Sequence, residues 1–123
     1  MFKKVLIGLT AMLAMAAPVA LVASPASASP RSQAVSMAYN YLAYTAFSKG
    51  GLADQLEYEG FSPAVANWAV SNIRVNWRAQ AVKMAKNYLR YTPFSCSGLI
   101  EQLVYEQFSY ANASYGAHQT RAC

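Results

Sequence analysis

The stretch FSKGGLADQLEYEGFS, Phe47 to Ser62, returns forty-seven positions later as FSCSGLIEQLVYEQFS, Phe94 to Ser109. With Arg31 set on Arg78, about two of every three positions agree without a gap through Ser62 and Ser109. Repetition at such a period marks one supersecondary unit used twice. Whatever the first copy folds into, the second must fold into as well.

The shared letters have a helical period. Ala34, Ala38, Tyr41, Leu42 and Thr45 fall on one side of a helix with Met37 at its margin, and Ala81, Ala85, Tyr88, Leu89 and Thr92 repeat that stripe. The opposite side holds Ser36, Tyr39 and Ala43 in the first copy, and Lys83, Lys86 and Arg90 in the second. What the copies share points inward, and what they change points out. Ser48 and Ser95 read as N-caps, each between a phenylalanine and a leucine (Phe47 and Leu52, Phe94 and Leu99) at the spacing of a hydrophobic staple. They open a second helix that ends near Gly60 in the first copy, a residue suited to a left-handed terminus. Ser62 and Pro63 then cap and start a third helix, with Val65, Trp68, Ala69 and Ile73 along one side. The expected fold is all-α: two tandem three-helix repeats, each helix-turn-helix-like, packed as one small domain over residues 29–76 and 77–123. One unit buries too little surface to be comfortably stable, so stacking is expected to complete the core, with Ile100 and Val104 packing against the first copy.

Residues 1–28 have a different grammar. Lys3 and Lys4 precede an apolar run from Val5 to Ala23 and then Ala26-Ser27-Ala28, the order of a cleavable secretory signal, with the mature chain expected to begin at Ser29. The alternative is an uncleaved anchor formed by residues 5–23. Either places the protein outside the cytoplasm, secreted or at the cell surface. No cysteine lies in the leader, so no lipid can be attached there. The remaining chain has eight basic and five acidic side chains, and the basic excess belongs to the second copy. A chain so mildly basic, with Asp54, Glu57 and Glu59 on the second helix of copy one, argues against nucleic acid as a partner.

Two cysteines remain, Cys96 before the second helix of copy two and Cys123 at the last position. If the second and third helices run antiparallel, these ends meet, and an exported chain is expected to join them as a disulfide. The need is visible in the third helix of copy two, SYANASYGAHQTRA, which has Gly116 in its interior and Asn112 and Thr120 where copy one has Val65 and Ile73. A catalytic Cys96 paired with His118, the sole histidine, would need a free thiolate, for which Cys123 competes. One histidine and two cysteines, unclustered along the chain, do not read as a metal site. No catalytic, cofactor-binding or metal-ligating residues are assigned, and no cofactor is expected.

Candidate contacts for a partner are of two kinds. Gln55 and Glu59 recur as Gln102 and Glu106, either holding turn backbone or offering a polar contact twice. Lys83, Lys86 and Arg90 form a basic stripe, either a solvated face or a site for an anionic protein or envelope polymer. Nine tyrosines must leave some at the surface, where they favour protein contacts.

With FSKGGLADQLEYEGFSPAVANWAV and NWRAQAVKMAKNYLRYTPFSCSGLIEQLVYEQFS laid out, the chain resembles the Ltp family of host cell surface-exposed lipoproteins, built from tandem helix-turn-helix-like repeats with the pattern A-x-x-Y-L-x-x-x-x-F-S-x-x-G-L-x-x-Q-L-x-x-E-x-F-S. The pattern occurs here twice in register, from residue 31 to about 115. The resemblance implies an exported, surface-associated, non-enzymatic binding module of bacterial or prophage origin. It also implies a role in superinfection exclusion, in which founding members hinder DNA injection by binding a protein of the incoming phage. The alternative function is an exported structural or regulatory protein that binds an anionic component of the cell envelope.

Overall fold

The computed structural model describes residues 29–123, and over them six α-helices form: α1 Pro30–Tyr44, α2 Lys49–Tyr58, α3 Pro63–Ser71, α4 Trp77–Tyr91, α5 Cys96–Tyr105 and α6 Tyr110–His118. The expected leader lies outside the described residues. Each helix starts where the sequence offers a cap: the side chains of Ser29, Ser48, Ser62, Asn76, Ser95 and Ser109 each accept from a backbone N–H in the first turn. Pro30 and Pro63 sit in the first turn of α1 and α3, where a missing N–H leaves no bond unmade. Among the described residues no strand interrupts the helices. Nor is any described helix long and apolar enough to cross a membrane.

Within each repeat the third helix packs on both of the others. The inward stripe of α1 is Ala34, Ala38 and Tyr41, and that of α4 includes Ala81 and Ala85, small residues that let the third helix approach closely. Thr45 and Thr92, expected on those stripes, are instead exposed C-caps one residue past the helices. Along α3 the buried line is Ala66, Ala69 and Val70, continuing to Ile73 beyond the helix, whereas Val65 and Trp68 are only partly buried. Leu52 and Leu56, and their counterparts Leu99 and Leu103, are fully buried; each such burial is worth about 2 kcal/mol.

The apolar core is not one cluster shared across the stack. Each repeat closes its own: one around Leu52, Leu56, Ala69 and Ile73, the other around Leu99, Ile100, Leu103 and Phe108. This corrects the expectation that Ile100 and Val104 pack against the first copy, since Ile100 belongs to the core of its own repeat and Val104 is 42% exposed. Helix-on-helix packing is concentrated within the repeats, and specific contacts join them through turns and helix ends. Trp77 rests on the first core, and the Gln80 side-chain oxygen accepts from the Phe47 N–H at 2.9 Å. The Ser48 hydroxyl donates to the Glu106 carbonyl, and Gln107 Nε2 donates to Asp54 at 2.7 Å.

Gln107 makes that last contact from the left-handed region, at φ 79°, where its counterpart Gly60 stands at φ 107°. A non-glycine residue there costs on the order of 1 kcal/mol, tolerated when the surroundings hold it. Opposite it, a Cβ on Gly50 would lie 2.4 Å from the Gln107 side-chain oxygen, whereas the counterpart of Gly50 in the second repeat is Ser97. Gly50 thus leaves room for the Gln107 side chain that reaches across the junction. Gln107→Gly loses the bond to Asp54 but relieves the backbone, and Gln107→Ala loses the bond and keeps the strain. The alanine variant is expected to be less stable than the glycine variant by about 1 kcal/mol. Urea unfolding of both measures the difference, and equal midpoints would remove strain from the account.

Candidate partner-binding surface

The polar residues repeated between copies are drawn together inside each repeat. Gln55 Nε2 donates to the Tyr41 hydroxyl at 3.1 Å and that hydroxyl donates to Glu59; Gln102, Tyr88 and Glu106 repeat the chain with the same 3.1 Å first step. Edge-on rings, Phe47 against Tyr41 and Phe94 against Tyr88, fix both tyrosines from the side. Gln55 has no accessible surface, which corrects its reading as a contact for a partner. Glu59, Gln102 and Glu106 are half-buried with side chains engaged in the same chains. Their role in this geometry is to tie the first helix of a repeat to the end of its second.

Burial first, and then the neighbouring carboxylate that accepts from the hydroxyl, push the Tyr41 and Tyr88 phenols well above the ordinary tyrosine value. A phenol that holds its proton more tightly folded than unfolded contributes stability that is complete below about pH 10 and lost as the pH climbs toward the higher folded value. Alkaline titration followed by tyrosinate absorbance is expected to show a late step belonging to two of the nine tyrosines. That step should vanish in the Tyr41→Phe, Tyr88→Phe double variant; its persistence there would assign it to other rings.

Arg31, the first shared position, stacks its guanidinium 4.6 Å from the centre of the Trp68 ring, and Arg78 does the same to Tyr115. Each links the start of the first helix to the third. The aromatic partners differ in type, so the sequence comparison did not pair them with their arginines.

The outward surface carries the remaining chemistry. Lys83, Lys86 and Arg90 are all exposed on α4, as the periodicity predicts. The fold adds a fourth cation that spacing could not reveal: Lys86, Arg90 and Arg121 line one shallow groove of about 340 Å³ with Leu89, Gln119 and Thr120, and no carboxylate lines it. Lys83 instead faces a groove at the junction of the repeats, beside Arg74 and Tyr39. Tyr44 and Tyr91, and Tyr58 and Tyr105, are counterparts in the two copies and are 75–81% exposed. Two pairs of aromatic rings thus stand at equivalent helix ends.

Beyond α6, the Thr120 hydroxyl donates to the Ala117 carbonyl and accepts from the Ala122 N–H, turning the chain back toward α5. Cys123 there forms the expected disulfide with Cys96, Cα to Cα 4.7 Å. His118 lies beside it, its ring nitrogen and both sulfurs within 4.8 Å of one another. Distance along the chain had hidden that cluster.

The host cell surface-exposed lipoprotein family matches the chain twice, over residues 31–73 and 76–119. The structure of Ltp, a superinfection exclusion protein from the Streptococcus thermophilus temperate phage TP-J34, is similar to this chain at a TM-score of 0.71 and 27% identity, over 76% of this chain and 98% of that one. No curated protein matches at a significant level. Two matches in register, one to each three-helix repeat, place the chain in a family as well as a fold: it belongs to the host cell surface-exposed lipoprotein family.

Proposed function

We propose that this protein is a non-enzymatic binding module at the cell surface that acts in superinfection exclusion by holding a protein of an incoming phage. The observation that carries the reading is the likeness to the phage exclusion protein, which spans nearly all of that chain and both repeats of this one. The exposed surface suits a protein partner, with paired tyrosines for contact area and a cationic groove for orientation. The groove residues Lys86, Arg90 and Arg121 favour an acidic segment on the partner.

The test is to challenge a host, with and without the gene, with a panel of phages, scoring adsorption and DNA entry separately. Normal adsorption with reduced DNA entry for at least one phage supports the proposal. Equal entry for every phage in a broad panel contradicts it.

The carboxylate-free groove favours a second reading, in which Lys86, Arg90 and Arg121 attach the protein to an anionic polymer of the envelope. Such attachment is electrostatic and weakens as salt shortens the screening length. Retention on isolated envelopes across a salt series separates the two: release at moderate salt in the absence of phage supports attachment, and no retention at low salt rules it out.

A further inference from the structure

Three side chains that bind soft metals well converge at the open end of the second repeat. Cys96 begins α5, His118 ends α6, and the turn through Thr120 returns Cys123 to them, leaving one ring nitrogen and two sulfurs within 4.8 Å of one another. Tetrahedral zinc, at about 2.3 Å to sulfur and 2.0 Å to nitrogen, holds its ligand atoms roughly 3.5 to 4 Å apart. In the disulfide the two sulfurs are bonded at 2.07 Å, so reduction must let them part to roughly that spacing, with the His118 ring nitrogen already within 4.8 Å of both.

The imidazole is also oriented from behind. His118 Nδ1 lies 2.8 Å from the Ser114 carbonyl one turn back, a contact that places the proton on Nδ1 and leaves the Nε2 lone pair available. Metal-bound histidines are typically held in this way by a backbone carbonyl. Cys96 is half-buried, whereas Cys123 and His118 are exposed, so a cation and a small reductant can both reach the group.

We propose that in its dithiol state the protein binds one thiophilic divalent cation of the zinc class through Cys96, Cys123 and His118, with water as the fourth ligand. The disulfide form lacks the two thiolates such an ion needs. A small-molecule dithiol converts one to the other: it delivers two electrons and two protons to the Cys96–Cys123 bond, which breaks to two thiols while the reagent closes to its own disulfide. The cation then displaces the two thiol protons and forms two metal–sulfur bonds, with neutral imidazole as the third ligand. Metal takes over the bridging of α5 to the chain end that the disulfide otherwise provides.

The experiment reduces the exported protein with a dithiol, removes excess reagent under anaerobic conditions and titrates it with Co²⁺, following thiolate-to-metal charge-transfer absorption, then displaces the cobalt with Zn²⁺. One equivalent of Co²⁺, release of about two protons per metal at a pH where the thiols are protonated, and at least tenfold weaker binding by His118→Ala are expected. Zinc should also restore hydrogen-exchange protection over residues 110–123 of the reduced protein. Binding of equal strength in His118→Ala, or absence of the charge-transfer bands from the reduced wild type, overturns the proposal. So does zinc that binds without restoring protection at the chain end.

Discussion

Reduction of the Cys96–Cys123 bridge in metal-free solution, or Cys96→Ser, lowers stability by about 3 to 4 kcal/mol, because the bridge spans a sequence separation of 27 and restricts that loop in the unfolded chain. The loss is expected to be local. Each repeat closes its own apolar cluster, so α1 to α3 are expected to hold without the bridge. Helix α6, by contrast, buries only Ala113, Gly116 and Ala117, with no large apolar side chain to hold it, where α3 and the residues after it bury Val70 and Ile73. The first repeat continues directly into α4, whereas the second is tied back at Cys123. Hydrogen exchange on oxidised and reduced protein should show protection falling over residues 110–123 and kept over 30–71. Uniform loss across both repeats would mean that the bridge stabilises the stack as a whole.

Gly116→Ala destabilises the second repeat by about 2 to 3 kcal/mol, against the usual direction for such a change. In an open helix interior the substitution gains about 1 kcal/mol. Here an added Cβ would stand 2.8 Å from the carbonyl carbon and oxygen of Ala81 and 3.0 Å from its Cβ. Backbone cannot swing aside as a flexible side chain would, so α4 and α6 must separate and loosen the packing around them. The corresponding pair in the first repeat is Ala34 and Ala69, both fully buried, so that crossing accommodates the methyl groups. Urea unfolding of Gly116→Ala provides the measurement, and a stabilised variant would show that the helices do not approach so closely.

The Cys96–Cys123 bridge and Gly116 also mark the division between what the sequence declares and what it conceals. The caps Ser48, Ser62 and Ser95, Pro63 at a helix start and Gly60 at a helix end are local signals, read from one or two neighbours, and the repeat doubled them. The disulfide was legible because helix polarity alone sets which ends can meet. Gly116 read as a weak point in a weakly apolar helix, because its reason is Ala81, thirty-five residues away. Gln107, the counterpart of Gly60, reaches Asp54 of the other repeat from a strained backbone, a contact that no local pattern declares. The basic stripe Lys83, Lys86 and Arg90 was visible as a periodicity, but the groove that joins two of its members to Arg121 depends on the turn after α6. Likewise, the repeated Gln and Glu residues are recognisable as a pair of motifs, while Tyr41 and Tyr88, which give them a structural purpose, belong by periodicity to the apolar stripe.

On the proposed reading, the cationic groove of the second repeat orients a protein of the incoming phage. Its most direct test is DNA entry in hosts exporting either the wild type or a Lys86→Glu, Arg90→Glu, Arg121→Glu variant. All three side chains are exposed, so charge reversal is expected to leave the helical content and unfolding midpoint close to those of the wild type. The wild type should reduce DNA entry with adsorption unchanged, and the variant should return entry to the level of a host lacking the gene. A folded variant that blocks entry as well as the wild type would contradict the account.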